Sequence, residues 1–114
     1  MADKEVNRYL IIIRIGEKQP DRERLHDACP AIKDALRRCS IDDPQLAFNS
    51  HDGATFGMLL KSNHHPKAIR AILRGTTGRH SAVLLNEDST IVVQLGKESA
   101  CAGFGRTAAW LQHN

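Results

Sequence analysis

Apolar residues recur along this chain in two different rhythms, and the change from one to the other marks its elements. Residues 9–15, Tyr-Leu-Ile-Ile-Ile-Arg-Ile, form a nearly unbroken β-branched run, the pattern of a central strand covered on both faces. Gly16 ends it. From Pro20 to Cys39 the period lengthens: Leu25, Ala28, Cys29, Ile32, Leu36 and Cys39 follow mostly three- and four-residue steps. That spacing predicts an amphipathic helix with its charges on the far side. Pro30 removes one backbone donor, so a kink is expected there, or a second helix opened by the proline.

Two further runs, 45–50 and 54–61, flank His51-Asp52-Gly53 and read as a hairpin. A two-residue Asp-Gly turn sets Phe48 opposite Gly57. A three-residue loop with Gly53 left-handed pairs Phe48 with Phe56 and Leu46 with Met58. A slip of one residue flips every side chain, and the second register is expected because it gathers the apolar set on one face. A second helix runs from about Asn63 or Pro66 to Arg74, with Ile69, Ile72 and Leu73 inward and Gly75 as its stop. Residues 90–95 read as a strand, 81–85 as a short extra strand or a loop, and Gly105 to Gln112 as a C-terminal helix.

The order β-α-β-β-α-β predicts an α+β fold, a ferredoxin-like sandwich with a four-stranded antiparallel sheet and two helices on one face. Such an architecture hosts many unrelated functions. Alternation places Ile11, Ile13 and Ile15 toward the helices, joined by Phe48, Phe56, Met58, Ile91, Val93 and Leu95. The opposite face then shows Leu10, Ile12, Ala47, Leu59 and Val92, more apolar than a solvated face allows. The C-terminal segment with Phe104, Trp110 and Leu111 is the expected cover, ahead of a second copy. Deleting residues 103–114 is accordingly expected to cause aggregation or obligate dimerisation.

Length and composition narrow the class. The 114 residues suit one domain, 1–114, and 41% hydrophobic with 25% charged residues is ordinary globular usage. Disordered chains, multidomain enzymes and rods are excluded. The mixed-charge start resembles no signal peptide, and no run approaches a membrane span of about 20 apolar residues. Three cysteines, Cys29, Cys39 and Cys101, read as small hydrophobes in a reducing cytosol, so a cytoplasmic location is expected.

Charge adds the one local feature. Residues 53–86 contain no acid and five bases, Lys61, Lys67, Arg70, Arg74 and Arg79. Removing those five from the 16 bases leaves 11 against 13 acids, so the net +3 is a basic stretch on a mildly acidic background. Lys67, Arg70 and Arg74 share one side of the second helix by their spacing. His64, His65 and His80 lie in the same region and add charge as pH falls. These eight residues form the candidate binding patch, with a phosphate-rich partner such as nucleic acid as the reading it supports. A solvated helix face is the plainer account.

Catalytic and metal signatures are missing from the sequence pattern. Thr55-Phe56-Gly57-Met58 matches only a fragment of the aromatic RNA-recognition signature. Glu17 after the first strand has no paired carboxylate for a metal-dependent nuclease, while Asp42-Asp43 and Glu87-Asp88 read as turn residues. His64-His65 cannot converge on one ion from adjacent positions at a helix start. Arg74-Gly75-Thr76-Thr77-Gly78-Arg79 lacks the ending of a phosphate loop and follows its helix instead of preceding it. No cofactor, metal or catalytic residue is expected. The chain reads as a small non-catalytic binding module for a protein partner or a second copy. Backbone contact with nucleic acid is the alternative, and a small enzyme or ligand-sensing domain with a site between subunits is the third.

Overall fold

In the computed structural model, which describes residues 5–16, 22–74, 88–96 and 105–113, four strands and three helices alternate. They are β1 (Asn7–Arg14), α1 (Arg22–Leu36), β2 (Gln45–Asn49), β3 (Thr55–Ser62), α2 (Pro66–Arg74), β4 (Ser89–Leu95) and α3 (Gly105–His113). The expected strand at 81–85, the Gly75 stop, Cys101 and Phe104 lie outside the described residues, as do the side chains of Leu25 and His26. The fold is α+β. Its four strands form one sheet in the order β2-β3-β1-β4, with every neighbouring pair antiparallel.

Pro30 does not divide the first helix: α1 continues through it as one 15-residue element. The missing donor is tolerated where Pro30 itself is exposed. Beyond Leu36 the chain tightens, with the Cys39 and Ser40 amides both donating to the Leu36 carbonyl. Cys39 is thereby buried in the turn after the helix.

One face of the sheet closes into the core. Tyr9, Ile11 and Ile13 lie opposite Leu60, Met58 and Phe56 across the β1–β3 ladder. Ile32 and Leu36 of α1 and Ile69 and Leu73 of α2 pack onto them, all essentially inaccessible to solvent. Burial of this many large aliphatics, at about 1.5–3 kcal/mol each, dominates the stability of the fold. Two polar ties finish the layer. The Tyr9 hydroxyl donates to the His64 carbonyl at 2.9 Å, and the buried Ser62 hydroxyl donates to the Cys39 carbonyl at 2.7 Å.

The other face departs from expectation twice. In β4 it is Val92, opposite Ile11, that packs against the core, while Ile91 and Val93 lie 55% and 40% exposed on the outer face. The reason is an anchor at the strand's start. Asp88, read from sequence as a turn residue, is buried, and its carboxylate accepts the Gly16 amide at 3.0 Å. With Asp88 inward, period-two alternation turns Thr90 and Val92 inward as well, while Gln94 at the strand's end is exposed. In β2, Leu46 does pair with Met58, but Phe48 sits opposite Gly57 and not Phe56. A bulge between Leu46 and Phe48 reconciles both registers and turns Phe48 to the outer face. Gly57 makes that possible, since a Cβ there would meet the Phe48 Cε1 at 2.4 Å. The hairpin loop keeps its expected left-handed Gly53, at φ 75°.

Candidate binding surfaces

Of the eight patch residues, Arg79 and His80 lie outside the described residues. The remaining six do not form one surface. Lys67 and Arg70 are exposed on α2, one turn apart, and α2 carries no acid in its first turn. Arg74, on the same side by spacing, is half-buried and donates from Nη2 to the Asp88 carbonyl at 2.6 Å. Lys61 shares its parity with Leu59, which puts it on the outer face of the sheet, away from α2. There its Nζ lies 3.5 Å from an Asp42 carboxylate oxygen.

The two histidines part company as well. The His64 Nδ1 turns to the Ser62 hydroxyl at 3.3 Å. His65 is exposed and stands at the N-cap of α2, where its Nδ1 accepts the Lys67 amide at 3.1 Å and its carbonyl accepts the amides of Ala68 and Ile69. An imidazole thus performs the capping role usually given to Ser, Thr, Asp or Asn, with Pro66 in the first helical position, where its missing donor costs nothing. His65, Lys67 and Arg70 therefore make up the solvent-facing basic side of α2.

Other charges serve the scaffold. Arg37 donates to Asp34 and Asp43 at 2.7 Å each, and Lys33 lies 3.3 Å from Asp43. The Arg37 hydrogen bond holds the Asp43 carboxyl below its ordinary value, and the same bond raises the guanidinium. In the hairpin loop, the Ser50 hydroxyl and then the Ala54 amide lower the Asp52 carboxyl. Burial raises the Cys29 thiol and pushes that of Cys39 up to about 11, which lowers the thiolate fraction of both near neutral pH. Among the described residues no group of three or more His, Cys, Asp or Glu side chains is placed to hold a metal ion, and no helix is long and apolar enough to cross a membrane.

The second surface is the outer face of the sheet, and α3 defines it. The Thr107 hydroxyl donates to the Ala47 carbonyl in β2, and Arg8 Nη1 donates to the Leu111 carbonyl in the last turn of α3, each at 3.4 Å. Arg8 also bonds the Gly96 carbonyl beyond β4. So α3 lies across the outer face, and the guanidinium satisfies a carbonyl at the negative end of the helix. Beneath it Leu59 is only 1% exposed although it belongs to neither α1 nor α2 packing. Cover is incomplete. The cross-strand row Leu59–Leu10–Val93 runs from buried through half-buried to exposed, and Gly57–Ile12–Ile91 repeats the gradient.

An open cleft of about 370 Å³ adjoins this face, between Glu5, Arg8, Leu95 and Leu111. Its described lining carries one carboxylate, Glu5, and one guanidinium, Arg8. The sequence pattern missed the outer surface on β4 because both parities of Thr90-Ile-Val-Val-Gln-Leu95 carry aliphatics, and nothing local marks Asp88 as the residue that chooses between them. No protein-family model, no curated protein and no solved structure matches this chain.

Proposed function

We propose that the protein is a small non-catalytic binding module that works through the uncovered β1/β4 half of its outer sheet face. The observation that carries this reading is the exposure of Ile91 and Val93 on a strand that turns Thr90 inward. Large aliphatics set outward in place of polar residues, and continuous with half-buried Leu10 and Ile12, are the composition of a contact surface. The strip is small beside the roughly 800 Å² per partner of a stable interface, which favours a weak, reversible contact.

Charge defines the partner. Along β1 the outer face reads Arg8, Leu10, Ile12, Arg14, an apolar pair bracketed by two cations, of which Arg8 also bonds the Leu111 and Gly96 carbonyls. Arg14 is half exposed, with Asp52 at 3.6 Å. The complementary occupant is a protein segment with an apolar centre and acidic ends. The antiparallel order, with β3 between β1 and β2 and β1 between β3 and β4, supports the ferredoxin-like reading of the scaffold.

The test is NMR titration with a synthetic amphipathic peptide that carries Ile and Leu centrally and Glu at both ends. Shifts are expected at Leu10, Ile12, Ile91 and Val93, with binding abolished by Val93→Asp and weakened by Lys in place of the peptide's Glu. Shifts elsewhere, or indifference to the peptide's charge, refute it. Concentration-dependent sedimentation of the chain alone would assign the face to a second copy instead.

A nucleic-acid reading of α2 keeps one supporting observation, the exposed trio His65, Lys67 and Arg70 on a helix without acids in its first turn. Two lysine or arginine contacts to phosphate imply a shallow salt dependence, with a logarithmic slope near about −2. Fluorescence anisotropy with a labelled oligonucleotide at low salt decides it, and absence of binding there ends that reading.

A further inference from the structure

We infer that α3 is a releasable strap, able to leave the outer face while the remainder of the fold stays intact. The inner core draws its residues from β1, β3, α1 and α2 with their flanking turns, and partly buried neighbours from β2 and β4 pack against it; no described residue of α3 belongs to it. Removing α3 therefore opens no cavity in that layer. As a nine-residue helix, α3 is also shorter than the 12–15 residues at which isolated helices become even marginally stable in water. It is helical because it is docked.

Among the described residues, two hydrogen bonds tie α3 to the sheet, Thr107 to Ala47 and Arg8 to Leu111, both at 3.4 Å, the long end of such contacts. Trp110 and Leu111 are only half-buried, and Ala109 and Gln112 are exposed. Local openings of this kind, below the free energy of global unfolding, are expected where the described side chains of an element stay exposed or half-buried. Lifting α3 uncovers Leu59 and Ala47 and extends the apolar strip of Leu10, Ile12, Ile91 and Val93 across β3 to β2. The strap thereby sets the size of the surface available to a partner. Its regulatory purpose rests on the docking surface proposed above, whereas the opening itself rests on packing alone.

Hydrogen exchange of the full chain tests the opening. Amides of α3 are expected to be protected at least about 100-fold less than those of Ile11 and Met58, through an opening that leaves the latter untouched. Thr107→Val should speed α3 exchange several-fold without changing Ile11 or Met58. Trp110, the chain's single tryptophan, supplies a second probe. Its fluorescence should change at lower urea than the far-ultraviolet circular dichroism. Equal protection in α3 and β1, or coincident transitions with Thr107→Val loosening both regions alike, overturns the strap. Opening of α3 in a protein that ignores the acidic-ended peptide would retire the docking surface and leave the strap standing. Peptide binding with α3 as protected as the core would do the reverse.

Discussion

The two faces of this sheet are built from the same β1 strand and have opposite fates. Toward α1 and α2, Tyr9, Ile11 and Ile13 are sealed by two amphipathic helices. On the other side, Leu10 and Ile12 are half-buried, α3 is tied to Ala47 of β2 and Arg8 of β1, and Ile91 and Val93 of β4 stay exposed. An unbroken aliphatic strand therefore says that both faces meet something. It does not say that both are closed by the same chain. The difference lies in the cover, since side chains of similar size alternate along β1.

Truncations on the two faces should break the comparison if it is wrong. Ile11→Ala is expected to cost about 3–5 kcal/mol by denaturant unfolding, and Leu59→Ala, buried on the outer face, about 2–3 kcal/mol. Val93→Thr should fall within about 0.5 kcal/mol of the parent. Equal losses at Ile11 and Val93 would erase the distinction.

Gly57→Ala comes next, because its new Cβ collides with the Phe48 ring. A loss of about 1–3 kcal/mol is expected, and Phe48→Leu in the same chain should recover much of it. An additive double mutant would remove the ring from its place above Gly57.

Thr90 offers an effect of the opposite sign. Its hydroxyl is buried and has no hydrogen-bond partner among the described residues, so the nearly isosteric Thr90→Val should raise stability by about 1 kcal/mol. A destabilised variant would mean that the hydroxyl is satisfied and that β4 faces the other way.

The last expected effect is alkaline. The Cys39 thiol is raised from 9.0 to about 11 in the fold by burial, so the folded state disfavours the thiolate. Its contribution is fully present below the unfolded value and is lost as pH rises from about 9 to about 11. Cys39→Ala should flatten that part of the stability–pH curve, and an unchanged slope would refute the assignment.

Much of the frame was legible because its signals are local. The β-branched run at 9–15, Pro66 at a helix start and Gly53 in the hairpin each act within a few residues of themselves. What escaped was decided at long range. The facing of β4 depends on Asp88 meeting Gly16, 72 residues away. Phe48 depends on a bulge that lets its ring use the space above Gly57. The basic stretch is the clearest instance. Helical spacing gathers Lys67, Arg70 and Arg74 on one side, but it carries no record of the Asp88 carbonyl that engages Arg74. Nor can it register that strand parity sends Lys61 to the opposite face of the sheet.

One measurement addresses both faces at once: methyl NMR of the full chain with a soluble gadolinium chelate, which broadens signals according to their access to solvent. The account predicts strong broadening at Ile91 and Val93, weaker effects at Leu10, Ile12 and Val92, and protection of Leu59 comparable with Ile11. Broadening of Val92 beyond Val93 would contradict the facing of β4. A Leu59 signal as accessible as Ile91 would contradict the cover by α3.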